Sequence, residues 1–448
     1  MNKNNKKISN IISNILALLI IIVAIIVYRK YDFNFYTKGI QETGRTVFSR
    51  DSKIKYSDSR SYKIENKKDN DAMFYRKINV KQNTPYKVTC MIKTENVIGS
   101  DGNPLAGAQI CLNGTEEHSR VLTGENDWTK IEFLFNSKCN ESVEIGFRLG
   151  GNMVEASGTA WFSELNIEEG IQDTSNTWNF GCFILDNIDT VVESASVKTS
   201  MSYYEKSTIV TDMVRFQSSI REMSNNKINI EYEIIEIQKP LTTLTYDKDN
   251  GYYISEKDVY NLIDSYVKEK EYDHIFVCTN LPLERKLINH ADVEEWIGLG
   301  NMMYIGKGFS NIKVSAQENN VPREYPEEVF LHEFLHTLER NSKEYGYEIP
   351  ALHDYEKYNY VDDRNVGLKK WYIDYMNGTI KGSEGYIGLP SEIYVLKPTK
   401  TNDFEFSYGL DVLDEPSNIS ETINSIIEKI KNVFRKNDKV YDFKGASS

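Results

Sequence analysis

Two histidines and a glutamate, His332, Glu333 and His336, form the pattern H-E-x-x-H between apolar neighbours. If this segment is a helix, residues i and i+4 lie one turn apart on the same face, so both imidazoles can bind one metal ion. Glu333 lies beside them, where its carboxylate can accept a proton from a water molecule on that ion. The pattern is typical of zinc-dependent peptidases, and it predicts bound Zn²⁺.

The helix that carries the pattern is expected to begin at Pro326, a residue favoured in the first helical turn, and to reach about Asn341. Its many apolar residues predict that it is buried. Buried histidines and a buried glutamate without partners are costly, and a metal ion would offset that cost. The alternative is that His332 and His336 are hydrogen-bonded core residues.

A catalytic zinc ion needs a third protein ligand and an open position for water. His353 and Glu356 both follow the pattern closely enough to supply it, and Asp354 is a third option. The separation of Glu356 from His336 resembles that of thermolysin-type enzymes. We favour His353, so the predicted ligands are His332, His336 and His353, with Glu333 as the catalytic base.

Composition narrows the class of protein. The 448 residues carry a formal net charge of −13, and no basic patch is visible, which argues against nucleic-acid binding. A chain of this length is expected to form two or three domains. The five cysteines show no C-x-x-C spacing, so neither a zinc knot nor a disulfide scaffold is expected.

The N-terminal segment from Ile8 to Tyr28 has no charged residue and is long enough to span a bilayer. No small-residue cleavage site follows it, which favours an uncleaved signal anchor. Three lysines precede it and two basic residues follow. This asymmetry predicts a single-pass membrane protein whose N-terminus is cytoplasmic and whose catalytic domain is extracellular.

Residues 31–170 alternate between apolar and polar positions over short segments that are separated by turn residues. Several strands at this spacing predict an all-β sandwich or jelly roll. Five short segments of this region resemble carbohydrate-binding modules of the four/nine type: Asn83–Tyr86, Ile92–Val97, Asp127–Lys130, Phe147–Gly150 and Gly158–Phe162. The resemblance implies a possible glycan partner, with Trp128 and Trp161 able either to stack on sugar rings or to pack in the core.

Residues 178–376 alternate between strand and helix patterns, which predicts a twisted, mostly parallel sheet with helices on its faces. This segment is similar to the metzincin clan of zinc peptidases. The resemblance implies that the strand from Gly298 to Gly306 borders the cleft and that Met376 forms the methionine turn. The compact family motif continues to a glycine and a third histidine; here Glu339 stands in place of the glycine, and His353 comes later.

The sequence therefore predicts a multidomain chain with an N-terminal transmembrane helix, a jelly-roll sandwich and an α/β zincin-type metallopeptidase domain. The expected boundaries are residues 1–30, 31–170 and 171–448. Tyr372 and Tyr375 are candidates for oxyanion stabilisation, although packing roles are open to them, and Asn418 to Arg435 predict a packed helix.

The predicted function is that of a membrane-anchored extracellular zinc endopeptidase that cleaves proteins or glycoproteins. Two alternatives stay open. One is a non-catalytic, glycan-binding surface adhesin with a structural metal site. The other is a glycan-active hydrolase, for which no carboxylate pair stands out in the sequence.

Overall fold

The computed structural model describes residues 35–39, 45–152, 154–193, 195–282, 296–314, 321–405 and 408–409. The helices predicted at Ile8 to Tyr28 and at Asn418 to Arg435 lie outside these ranges. Residues 37–410 form one compact unit, and the fold of that unit is described below.

The first part of this unit is a β-sandwich made of two antiparallel sheets. Its nine strands are β1 (Tyr36–Gly39), β2 (Thr46–Asp51), β3 (Ser61–Asn70), β4 (Ala72–Asn79), β5 (Pro85–Gly99), β6 (Gly107–Leu112), β7 (Gly124–Asn136), β8 (Ser142–Gly150) and β9 (Ala156–Glu169). One sheet has the order β1-β4-β8-β6, and the other contains β2-β3-β9-β5-β7. A 3₁₀ turn covers Ser100–Gly102.

The sandwich core follows from the alternation of side chains along its strands. Phe133 and Phe135, two residues apart on β7, point to the same side and stack with ring centroids 5.5 Å apart. Phe147 of β8 stacks on Phe162 of β9 at 5.1 Å, which joins the two sheets.

The second part contains a mixed sheet, helices and hairpins. Its elements are β10 (Thr177–Leu185), β11 (Asn187–Val192), β12 (Ala195–Ser200), α1 (Tyr203–Met223), β13 (Asn229–Ile237), β14 (Thr245–Asp247), β15 (Gly251–Tyr253), α2 (Glu256–Lys270), β16 (His274–Thr279), β17 (Gly298–Tyr304), β18 (Lys307–Lys313), α3 (Glu328–Glu344), α4 (Lys369–Asn377), β19 (Ile380–Lys381), β20 (Tyr386–Ile387) and β21 (Tyr408–Gly409). Short 3₁₀ helices cover Asp354–Tyr358, Ser391–Val395 and Thr401–Phe404.

The mixed sheet has the strand order β13-β10-β16-β18-β17. Strands β13, β10, β16 and β18 are parallel, whereas β17 is antiparallel to β18. Strand β10 is buried on both faces: Phe180 and Cys182 contribute to the core beneath α1, α3 and α4, and Phe183 and Leu185 to the core beneath α2. This double coverage explains its nearly continuous apolar sequence.

The predicted fold class, which joined a transmembrane helix and a jelly roll to an α/β zincin-type domain, is wrong. The structure is mostly β, with 44% strand and 23% helix, because long sandwich strands are followed by the hairpins β11–β12, β14–β15 and β19–β20. Neither a transmembrane helix nor a zincin-type α/β domain is shown within the described ranges.

The predicted localisation is corrected as well. Among the residues that the structure describes, no helix is both long enough and apolar enough to cross a bilayer. The prediction of a single-pass membrane protein with an extracellular catalytic domain is therefore wrong.

Candidate metal centre

Helix α3 carries the H-E-x-x-H pattern and is oriented by aromatic packing on the mixed sheet. Phe334 meets Trp178 and Phe180 of β10 edge-to-face, with ring centroids 5.2 and 4.9 Å apart. The side chain of Phe334 is fully buried, whereas His332 and His336 are only partly buried. Packing on one face of α3 thus leaves the two imidazoles on another face.

His353 reaches the same place because helix α4 holds the backbone just before it. The indole N–H of Trp371 donates to the carbonyl of Leu352 at 2.9 Å. The hydroxyl of Tyr375 donates to the carbonyl of Pro350 at 3.1 Å. Both aromatic side chains are fully buried, so they fix the segment that delivers His353.

The Nε2 atoms of His332, His336 and His353 form a small triangle. The distance is 3.2 Å from His332 to His336, 3.2 Å from His332 to His353 and 3.0 Å from His336 to His353. Tetrahedral zinc with Zn–N bonds of about 2.0–2.1 Å places its ligand nitrogens roughly 3.3 Å apart. In the described part of the chain, this is the one group of three or more potential ligands close enough to hold a metal ion.

The other ring nitrogens show which way the imidazoles are protonated. Nδ1 of His336 lies 3.2 Å from the carboxylate of Glu339 and donates its hydrogen to it. Nδ1 of His332 lies 2.9 Å from the hydroxyl of Tyr372, which in turn is hydrogen-bonded to the carboxylate of Glu328. Burial raises the pKa of Glu328 to about 7. When Glu328 is ionised, Tyr372 donates to it and Nδ1–H of His332 donates to Tyr372.

With both Nδ1 atoms protonated, the Nε2 lone pairs of His332 and His336 point at each other. Burial, with His336 and His353 adding to it, holds the pKa of His332 well below its usual range, so this imidazole is neutral. Two facing lone pairs repel unless a cation lies between them. The donor set, three imidazoles of which two are oriented by outer hydrogen bonds, suits Zn²⁺.

The carboxylate of Glu333 lies beneath the edge strand β17. A Cβ atom at Gly298 would come within 2.3 Å of Glu333 Oε1, and one at Gly300 within 2.7 Å of Oε2, so a side chain at either position would displace the carboxylate of Glu333. The N–H of Gly300 donates to this carboxylate, but burial dominates and raises the pKa of Glu333 to about 8. A carboxyl group with a pKa near neutral can both accept and return a proton.

The remaining predicted site residues lie elsewhere. Glu356 and Asp354 do not belong to the group of side chains close enough to hold one ion, and Asp354 pairs with Lys357 at 3.3 Å. The hydroxyl of Tyr375 donates to the carbonyl of Pro350. Met376 is buried within helix α4 and does not lie in a turn.

Sequence reasoning missed the residues behind the histidines. In the sequence, Glu339 stands out only as a departure from the compact motif. Its position one helical turn after His336 nevertheless indicates that the two side chains can meet. The partnership of Glu328 and Tyr372 joins two separate helices and left no such local signal.

The two tryptophans that the sequence suggested for sugar binding differ in exposure. Trp161 is 2% exposed, and its indole N–H donates to Asp51 at 3.0 Å, so it is a core residue. Trp128 is partly exposed and meets Tyr56 edge-to-face at 5.8 Å; Tyr56 itself is 48% exposed.

No protein-family model and no curated protein matches this chain. Similar solved structures include carbohydrate-binding modules, the class that the sequence resemblance of residues 31–170 implied. A CBM4 module shares 13% identity over 30% of this chain and 86% of its own, with a TM-score of 0.22. A CBM61 module solved with β-1,4-galactotriose shares 13% over 31% and 92%, with a TM-score of 0.22. The xylan-binding CBM22-1 domain from Paenibacillus barcinonensis shares 11% over 31% and 86%, with a TM-score of 0.21. These likenesses concern the fold alone and assign no activity to this chain.

Proposed function

We propose that this chain is a zinc-dependent hydrolase of peptide bonds, with Zn²⁺ held by His332, His336 and His353. The observation that carries the proposal is the triangle of Nε2 atoms at 3.0–3.2 Å, whose lone pairs converge where a cation is needed. When bound, Zn²⁺ lowers the pKa of a water ligand and polarises a carbonyl oxygen.

Other residues of the chain have catalytic or positioning roles in the proposed reaction. Glu333, held by the N–H of Gly300, accepts a proton from the attacking water and returns it to the leaving amine. Glu339 and Tyr372 keep His336 and His332 in the tautomer that presents Nε2 to the ion. Trp371 and Tyr375 hold the backbone that positions His353.

Strand β17 supports a peptide as the substrate. It is the edge strand of the mixed sheet among the described residues, and its glycines pack directly on Glu333. An extended peptide can hydrogen-bond to such an open edge, which would place a scissile amide beside the proposed base. A glycan lacks the regularly spaced amide N–H and C=O groups that pair along such an edge.

The test combines metal content with proteolysis of casein by the purified full chain. We expect close to one zinc ion per chain, and removal of zinc by a chelator should abolish cleavage. His353→Ala should lose the ion, whereas the matched Glu356→Ala should keep it. Zinc content that is near zero in the wild type, or unchanged in His353→Ala, would contradict the assigned ligands.

Glu333→Gln separates catalysis from a purely structural metal site. The amide keeps the size of the side chain but cannot accept the proton, so cleavage should fall by a factor of about 10³ or more while zinc stays bound. Equal activity of this variant and the wild type would contradict the catalytic role.

A second candidate, glycan binding by the sandwich, is favoured by the exposed pair of Tyr56 and Trp128. Aromatic rings at a surface offer an apolar face on which a sugar ring can stack. Binding of the full chain to a glycan array should weaken in Trp128→Ala and persist in Glu333→Gln. If the chain binds no glycan on the array, glycan binding by the sandwich is excluded. The hydrolase proposal is unaffected by that result.

A further inference from the structure

A cavity of about 230 Å³ lies between the sandwich and the mixed sheet, away from the histidine triangle. Its apolar lining includes Leu134 of β7, Val267 of α2 and Ile305 of the turn between β17 and β18. Lys307, the first residue of β18, and Thr399 also line it.

Lys307 is 9% exposed, and its ammonium group has no hydrogen bond or ion pair with any residue that the structure describes. The hydroxyl of Thr399 is likewise buried without a partner among the described residues. Buried polar groups are nearly always paired, and an unpaired buried ammonium is among the most costly.

The acidic neighbours of Lys307 are already occupied. Asp273 pairs with Lys400 at 2.8 Å and accepts the N–H of Asn179. Glu271 accepts both the N–H and the hydroxyl of Thr401, at 3.1 and 2.8 Å. Among the described residues no carboxylate forms an ion pair with Lys307, although Glu271 and Asp273 favour its charged form through space.

Several other basic residues of the lining have partners of their own. Arg120 lies 3.0 Å from Asp264. Lys138 lies 2.5 Å from Glu117 and 2.6 Å from Glu344, so it is held between two carboxylates.

Two further basic residues line the cavity in addition to the exposed Lys268. Lys397 pairs with Asp173, and the guanidinium of Arg340 donates to the carbonyl of Met302 at 2.8 Å. Lys307 and the hydroxyl of Thr399 therefore offer buried donors to a ligand in this cavity.

We propose that this cavity binds a small anion that carries one carboxylate or phosphate group. The anion accepts hydrogen bonds from Lys307 and Thr399, and its remainder packs against Leu134, Val267 and Ile305. A volume of about 230 Å³ is below the range of drug-sized ligands, so the ligand has few heavy atoms beyond the anionic group. Burial lowers the pKa of Lys307, and a bound anion would oppose this shift by favouring the charged ammonium.

The test measures the thermal midpoint of the full chain with sodium phosphate and with sodium propionate, each against sodium chloride at equal ionic strength. At least one of the two anions should raise the midpoint in a saturable way by roughly 2 °C or more. The anion that does so identifies the ligand group. The rise should persist with EDTA present, because oxyanions also bind zinc.

Lys307→Met should abolish the response and leave the midpoint without anion equal or higher, because an unpaired buried charge is removed. Lys268→Met, at an exposed lysine of the same lining, is the matched control and should keep the response. If Lys307→Met fails to fold, Thr399→Val should weaken the response. No response in the wild type, or an undiminished one in the variant that folds, would overturn the proposal.

Discussion

Glu339 lies with one carboxylate oxygen 3.2 Å from Nδ1 of His336 and the other 2.7 Å from the ammonium of Lys343. These two partners hold the pKa of Glu339 at about 2 against the opposing effect of burial, so the side chain is charged at any working pH. The residue that breaks the compact family motif is thus the hydrogen-bond partner of a proposed ligand.

Glu339→Gln should lower zinc affinity by about 10- to 100-fold while the fold is kept, because the amide binds Nδ1–H more weakly and leaves either tautomer open. Competition with a chelator measures this affinity. Lys343→Met, which removes only the outer partner, should have a smaller effect. Equal zinc affinity of Glu339→Gln and the wild type would show that Glu339 does not position His336.

Gly298→Ala should reduce peptide cleavage at least about tenfold with zinc content unchanged. The new Cβ meets the far end of Glu333, a flexible side chain, at 2.3 Å, and so displaces the base rather than the backbone. Gly39→Ala, where the nearest atom is 3.7 Å away, is the control and should be neutral. Full activity of Gly298→Ala would mean that Glu333 need not occupy this position.

Removal of zinc should lower the thermal midpoint, because an ion that binds only the folded chain stabilises it by mass action. The shift should be largest in the wild type and absent in His336→Ala, which cannot hold the ion. A wild-type midpoint that does not change when zinc is removed would argue against a metal at the histidine triangle.

Asp212 should make stability depend on pH. It is 3% exposed, and burial together with Glu327 raises its pKa to about 6, while Arg215 opposes the change. Since the folded state holds this proton more tightly than the unfolded state, its contribution is complete below about pH 4 and is lost as the pH rises through 6.

Asp212→Asn should therefore raise the free energy of unfolding by about 1–3 kcal/mol at pH 7.5, with little change at pH 4. Denaturant unfolding at both pH values tests this. The control is Glu222→Gln, an exposed position on the same helix, which should be neutral at both. A destabilised Asp212→Asn at pH 7.5 would contradict the expected sign.

Lys138 of the sandwich pairs with Glu117, also of the sandwich, and with Glu344 of helix α3, so it links the two parts. Lys138→Met should lower the free energy of unfolding by about 2–3 kcal/mol, because two partly buried carboxylates lose their common cation. Lys198→Met, in the exposed pair with Asp189, should have a clearly smaller effect, because solvent screens this pair. Equal effects of the two substitutions on the free energy of unfolding would show that Lys138 does not stabilise the contact between the sandwich and helix α3.

Local patterns predicted individual elements well. The apolar run from His274 to Cys278 is strand β16, and Ser255 is the N-cap of α2, because both depend on neighbours in the sequence. The proposed ligand His353 stays a prediction for experiment, but it does lie beside His332 and His336.

The overall fold class was wrong because it relied on family likeness and on a hydrophobic segment outside the described residues. What sequence reasoning could not reach is the contact between distant segments. The pairing of Tyr372 with Glu328 and His332 depends on how α4 docks on α3, which no periodicity encodes.

The hydrogen bonds from Trp371 and Tyr375 end on main-chain carbonyls, not on side chains. Every residue type offers the same carbonyl, so these two hydrogen bonds do not depend on which side chains stand at positions 350 and 352. The third imidazole of the proposed metal site is therefore held through the main chain. The position of His353 depends instead on Trp371 and Tyr375 of helix α4. A single substitution at either residue would let His353 move, although neither residue touches the proposed ion.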